Sequence, residues 1–194
     1  MQEFIIWIIL AYFLGNISTS YFVGKIMGNI DIRNHGSGNA GATNALRVLG
    51  VKAGVITLIG DMFKGMIIVG LAKYFGNFQL ALACGLAVII GHDFPVLFHF
   101  KGGKGIATSI GVFTFIDPIV TILSVIIGLI IILKSKYVSL GSIVAMVLAP
   151  FIMILLKRPK QLIIYTFIIS LLTIYQHRSN LKRLFNGTEN KLVK

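Results

Sequence analysis

The chain has 194 residues, of which 56% are hydrophobic and only 12% charged, with a mean hydropathy of +0.90. A soluble domain carries about 25% charged residues, so the composition excludes one and points to an integral membrane protein. Eighteen Lys and Arg against six Asp and Glu leave a formal charge of +12. These cations are scattered between hydrophobic runs, which argues against nucleic acid and leaves anionic lipid headgroups or an anionic substrate. The lone cysteine, Cys84, excludes a disulfide framework and a Cys-based metal site.

In chain order, the N-terminal MQEFIIWIILAYFLGN has neither a basic n-region nor a cleavage pattern, and so reads as a first transmembrane helix. A spanning helix needs about 20 mostly apolar residues. Spans are expected at 4–23, 53–75, 78–98, 137–156 and 161–176. The run 106–133 is too long for one helix and too short for two full ones, and Asp117-Pro118 interrupts it. Because proline favours the first turn of a helix, a short helix over 106–116 and a second over 118–133 are expected. The fold class is therefore all-α, with seven transmembrane helices in a single domain over 1–194.

Charge placement supports that count. With seven spans and the N-terminus outside, Lys25, Arg33, Arg47, Lys52, Lys101, Lys104, Lys134, Lys136, Arg178, Lys182, Arg183, Lys191 and Lys194 face the cytoplasm. Lys73, Lys157, Arg158 and Lys160 face out, and Lys64 lies within a span. A single crossing over 106–133 would erase the asymmetry, so the positive-inside rule favours seven spans with a cytoplasmic C-terminus. Four polar segments then share the cytoplasmic face: 24–52, 99–105, 134–136 and 177–194.

The first of these holds HGSGNAGATNALR at 35–47. Gly36, Gly38 and Gly41 match the dinucleotide spacing but lack its context of strand and helix. The glycines instead suit a nest of backbone N–H groups around an anion. Ser37, Asn39, Thr43 and Asn44 add neutral donors, and Arg47 adds a planar fork suited to phosphate. A loop that merely lets helices pack closely is the plainer reading of the same glycines.

Further on, Phe100-Lys101-Gly102-Gly103-Lys104-Gly105 is not a Walker loop. It still places the Lys104 ammonium at the start of a short helix, where the dipole favours an anion. His177 and Asn180 lie one turn apart where the last span emerges, and Ser142 begins the sixth span near the same surface. His92 and Asp93 are adjacent and so do not face each other on a helix. Asp61 and Lys64, three residues apart inside the second span, are expected to pair, because ionisable groups at membrane depth are costly alone.

The chain resembles the PlsY family, the acyl-phosphate:glycerol-3-phosphate acyltransferases of bacterial membranes. Arg33-Asn-His-Gly-Ser-Gly-Asn-Ala-Gly-Ala-Thr-Asn44 with Arg47 carries the resemblance, together with Gly91-His-Asp-Phe-Pro95 and Phe100-Lys-Gly-Gly-Lys-Gly105. His177-Arg-Ser-Asn180, Arg183 and Gly187-Thr-Glu189 complete it. Gly141 stands where the family often has alanine. The resemblance implies transfer of a fatty acyl group from acyl phosphate to the 1-hydroxyl of sn-glycerol 3-phosphate, giving lysophosphatidic acid and phosphate. Substrate assistance is implied, with His177 as a protein base competing.

On that reading Ser37, Gly38, Asn39 and Thr43, with Asn44, hold the acyl phosphate. Arg47, Lys104, Ser142, His177 and Asn180 bind glycerol 3-phosphate, and Asp61 and Lys64 brace the site. No cofactor and no metal are expected. The partners are the two substrates and membrane lipids, for a monomer in the bacterial inner membrane with its site facing the cytoplasm. A small organophosphate transporter is the alternative from another class, but it would place polar groups near the bilayer midplane in related halves.

Overall fold

The computed structural model describes residues 2–192, so the tail position Lys194 lies outside the described residues. Every regular element within them is helical: α1 (Gln2–Asn16), α2 (Thr19–Gly28), α3 (Ala42–Leu49), α4 (Val51–Phe75), α5 (Phe78–Asp93), α6 (Ile106–Ile116), α7 (Pro118–Ser135), α8 (Val138–Leu155), α9 (Lys160–Gln176) and α10 (Arg178–Phe185). Short 3₁₀ turns sit at Ile32–Asn34 and Val96–Phe98. The long helices are apolar all round, and large side chains such as Ile6, Ile59, Ile122 and Leu171 stand more than half exposed. In water such surfaces would be a liability, whereas in lipid they face a solvent of their own kind.

The expected first span is broken. Ser18 caps α2 by accepting from the Tyr21 N–H at 3.4 Å. Asn16, buried at the end of α1, turns its amide to the carbonyls of Tyr12 (2.7 Å) and Gly91 (3.4 Å). These small polar side chains compete for backbone groups that a continuous helix would use, so the segment runs as two helices as far as Gly28. The expected third span loses its last turn for another reason. Phe94 precedes Pro95, which disfavours α geometry, and the helix stops at Asp93.

Asp117-Pro118 divides 106–133 as its chemistry predicts. Pro118 opens α7, and Asp117 caps it by accepting from the Val120 N–H at 3.1 Å. Asp117 also pairs with Arg158, whose Nη2 donates to Oδ1 at 3.2 Å and whose Nε stands 2.7 Å from Oδ2. That ion pair gives one member of the cationic cluster at 157–160 a structural partner. Among the described residues, five segments are long and apolar enough to cross a membrane alone: Gln2–Gly28, Val51–Phe75, Phe78–Phe98, Pro118–Ser135 and Val138–Leu155. The two others expected, α6 and α9, are shorter, at about 16 and 25 Å for a rise of about 1.5 Å per residue.

The chain divides into two compact units, one running to Ile116 and one from Asp117. In the first unit α4 and α6 approach closely, since a Cβ at Gly111 would overlap the Met62 carbonyl. A Cβ at Gly91 would likewise overlap the Tyr12 carbonyl, so α5 lies tight on α1. In the second unit a Cβ on Gly141 would overlap the Gly128 carbonyl oxygen. Gly141 thus sets the approach of α8 to α7.

Candidate active site

In the first unit the polar groups begin with the glycine loop. Gly36 and Gly38 hold φ values of +61° and +72°, a region that other residues enter only under strain. The loop is fastened by Asn44, which is buried on α3. Its Oδ1 accepts from the Ser37 N–H at 2.8 Å, and its Nδ2 donates to the carbonyls of Ile32 (3.1 Å) and His35 (3.0 Å). Asn44, grouped with the ligand donors on sequence, has its amide committed to the loop backbone. Ser37 is exposed, and Asn39 and Thr43 are half-buried.

A helix does follow these glycines, contrary to the sequence expectation, because α3 starts at Ala42. The strand that the dinucleotide fingerprint needs is absent among the described residues. Gly41 caps α3 without a side-chain hydrogen bond. The first N–H of α3 to find a carbonyl of its own turn is that of Asn44, which donates to Gly41 at 3.1 Å. The N–H groups ahead of it therefore point out of the helix start, where the positive end of the dipole adds to them. Thr43 and Arg47 are four residues apart on α3 and so share a face.

This loop docks onto the second glycine segment. The Gly102 carbonyl accepts from the Ala40 N–H and from Asn39 Nδ2, both at 3.4 Å. Arg33 adds a further tie. Its guanidinium lies 5.3 Å from the ring centre of Tyr21 and 5.0 Å from that of Phe98, and it donates to the Phe98 carbonyl at 3.4 Å. Asp31 pairs with Arg33 at 2.7 Å, and the hydrogen bond from that guanidinium draws its carboxyl down to about 2. Lys104, half-buried, follows Gly103 directly.

Beneath both loops lies an ionic group inside the helices. Lys64 Nζ is 2.9 Å from Asp61 Oδ1, the pairing expected from their spacing. It also reaches the carbonyls of Gly15 (3.2 Å) and Ile17 (3.0 Å) at the α1–α2 break, and His92 Nδ1 at 2.7 Å. Thr19 donates its hydroxyl to Asp61 at 3.0 Å. Lys64 is 5% exposed and Asp61 1%, so the charges compensate each other within a low dielectric. Lys64 lies about 20 Å along α4 from Val51, at about 1.5 Å per residue. The Gly102–Lys104 segment, bonded to His92 through Gly103, is therefore recessed alongside α4.

In the second unit the centre is Glu189. Its Oε1 accepts from Asn180 Nδ2 (2.7 Å) and Ser139 Oγ (2.9 Å), and its Oε2 from Arg183 Nε (2.7 Å). Burial opposes ionisation of this carboxyl, but the three donors outweigh it and hold the pKa below the usual range. His177 is buried at the junction of α9 and α10, with Nδ1 donating to the Thr173 carbonyl at 2.9 Å. Ser142 is half-buried on α8.

The residues expected at the site are thus found as two groups. Ser37, Gly38, Asn39, Thr43, Asn44, Arg47, Asp61, Lys64 and Lys104 belong to the first unit, and Ser142, His177 and Asn180 to the second. Sequence reasoning missed the ties of His92 to Lys64 and of Ser139 and Glu189 to Asn180. Glu189 had a signal, since an isolated acid in a basic tail wants a partner. Ser139 had none.

A family model described as "Glycerol-3-phosphate acyltransferase" matches residues 5–187. The chain belongs to the PlsY family of glycerol-3-phosphate acyltransferases. It is 53% identical over 185 residues to the glycerol-3-phosphate acyltransferase of Alkaliphilus metalliredigens, covering 95% of this chain and 94% of that one. The Clostridioides difficile enzyme of the same name is 42% identical over 98% of this chain and 96% of its own length. The crystal structure of PlsY (YgiH), an integral membrane glycerol 3-phosphate acyltransferase in its glycerol 3-phosphate form, superposes with a TM-score of 0.92. That structure is 39% identical and is matched over 97% of this chain and 95% of its own. This is a family of membrane-integral acyltransferases, and the organophosphate transporter has no support in it.

Proposed function

We propose that this membrane protein transfers a fatty acyl group from acyl phosphate to the 1-hydroxyl of sn-glycerol 3-phosphate, releasing lysophosphatidic acid and phosphate. The observation that carries the reading is the docking of the loop at 35–41 onto Gly102, beside Lys104. Two backbone-rich, cation-flanked loops suit phosphate oxygens, and both substrates carry phosphate. The relatives' name supplies the acceptor, and the donor is inferred from the chemistry of the loops and from the motifs.

In this scheme Ser37, Gly38, Asn39 and Thr43 bind the donor's phosphate, with Asn44 shaping the loop around it. Arg47, Lys104, Ser142, His177 and Asn180 are assigned to glycerol 3-phosphate, while Asp61 and Lys64 brace the loops. Acyl phosphate is a mixed anhydride, so positioning and charge neutralisation supply most of the catalysis. The acceptor's O1 attacks the acyl carbonyl carbon and its proton passes to an oxygen of the donor's phosphate. The bond from carbonyl carbon to phosphate oxygen then breaks, and inorganic phosphate leaves with that proton.

The topology proposed with it has seven crossings, with α1 and α2 sharing the first, the N-terminus outside and the C-terminus in the cytoplasm. The chain is proposed to act as one domain and as a monomer in the bacterial inner membrane. Purified protein given palmitoyl phosphate and labelled glycerol 3-phosphate should form lysophosphatidic acid, and palmitoyl-CoA should not replace the donor. Absence of product with palmitoyl phosphate would sink the assignment. His177→Gln retaining activity that His177→Ala loses would favour hydrogen bonding over base catalysis.

A further inference from the structure

We propose that His92 is a positioning residue for acyl transfer, a link through which the buried Asp61–Lys64 pair fixes the loop that carries Lys104. It rests on the reading of Lys104 as a phosphate ligand, and it deepens that reading by naming what holds the lysine in place.

Around Lys64 Nζ stand four groups able to accept: Asp61 Oδ1, the Gly15 and Ile17 carbonyls, and His92 Nδ1. An ammonium only donates, so Nδ1 presents a lone pair and the neutral ring carries its proton on Nε2. The ring is thereby fixed in tautomer and in orientation. The backbone around it is fixed as well. Tyr12 donates its hydroxyl to the Phe94 carbonyl at 2.8 Å and accepts from the Val96 N–H at 3.2 Å, and Asn16 Oδ1 accepts from the Leu97 N–H at 3.2 Å.

Against this rigid residue the glycine segment is laid down. Gly103 donates its N–H to the His92 carbonyl at 3.0 Å. A Cβ at Gly103 would overlap His92 Nε2, and one at Gly102 would overlap the His92 carbonyl oxygen. The backbone just before Lys104 therefore rests on the imidazole edge with no room between them. The same segment receives Ala40 and Asn39 through the Gly102 carbonyl, so one histidine registers both loops. His92 is itself 5% exposed, so its ring acts through the backbone packed on it.

The experiment is a size exchange read through binding. Wild type, His92→Asn, His92→Ala, Gly103→Ala and the His92→Ala/Gly103→Ala pair are purified in detergent. Glycerol 3-phosphate binding is measured by calorimetry, and the KM for each substrate separately from kcat. Asparagine keeps an acceptor where Nδ1 lies, so His92→Asn satisfies Lys64 and preserves the fold while removing the edge that Gly103 rests on. It should melt close to wild type yet weaken glycerol 3-phosphate binding and raise its KM by about tenfold or more, the scale expected for a displaced charged ligand. Gly103→Ala should be as defective, and the paired variant should bind better than Gly103→Ala alone.

His92→Asn binding like wild type would overturn the inference, as would independent, multiplicative effects at 92 and 103. Wild type that binds glycerol 3-phosphate but makes no product from acyl phosphate sinks the donor assignment alone, because the binding arm does not use the donor.

Discussion

Asn180 donates to Glu189 at 2.7 Å, so the buried amide at the start of α10 is oriented by a carboxylate nine residues further along the chain. Glu189→Ala removes the acceptor shared by Asn180, Ser139 and Arg183. Buried donors left without partners cost about 1–3 kcal/mol each, less where they regain water. A loss of about 2–3 kcal/mol in unfolding free energy is expected, together with a higher KM for glycerol 3-phosphate. Denaturation in detergent and steady-state kinetics check both, and an unchanged stability would mean the cluster contributes nothing.

Acid should weaken the fold through two carboxyls outside the spans. Asp31 falls from 3.8 to about 2 in the folded chain, and Glu189 is also depressed. Groups with lowered folded pKa stabilise above the unfolded value and lose that contribution as pH falls through the folded one. Melting temperature should drop between pH 4 and about 2, and Asp31→Asn should flatten that part of the profile. A variant profile parallel to wild type would refute the assignment to Asp31.

Lys64→Met leaves Asp61 as a buried charge without its cation, a change that typically costs about 3–5 kcal/mol. Asp61→Asn combined with Lys64→Met should recover part of that loss, because no lone charge remains. The coupling between the two sites is the quantity to measure, in a double-mutant cycle. Strictly additive effects would show that the 2.9 Å pair is not an energetic unit.

Helix approach gives a steric prediction. Gly91→Ala and Gly141→Ala each force a methyl into a carbonyl oxygen of a neighbouring helix, and overpacking of this kind costs about 1–3 kcal/mol. Gly91→Ala should harm α5 against α1, and Gly141→Ala α8 against α7. Unfolding midpoints equal to wild type would place the helices further apart than described here.

Much of this was legible where one residue type forces one outcome. Asp117-Pro118 announces a cap and a first turn, and the α6–α7 division follows. Asp61 and Lys64 announce each other by spacing. The break at Ile17-Ser18 was hidden because a hydropathy window averages over a few polar residues. Helix α3 was masked by glycine and asparagine, which signal loops, although Asn44 serves the loop from within the helix. The site was harder still. Lys64 and His92 are 28 residues apart on different helices, and local periodicity says nothing about which faces meet. For the same reason Ser139 gave no sign of its bond to Glu189, fifty residues away.

The lysine beneath the α1–α2 break also bears on how the chain is assembled in the membrane. Where a helix stops at membrane depth, its last carbonyls have neither helical partners nor water. Here those of Gly15 and Ile17 find theirs in an ammonium on α4. A nascent chain that has inserted only its first segment lacks that partner. The break itself is set locally, but the carbonyls it frees are satisfied only once a helix 47 residues further along the chain stands beside it, so the hydrogen bonding of the N-terminal segment is completed late in insertion.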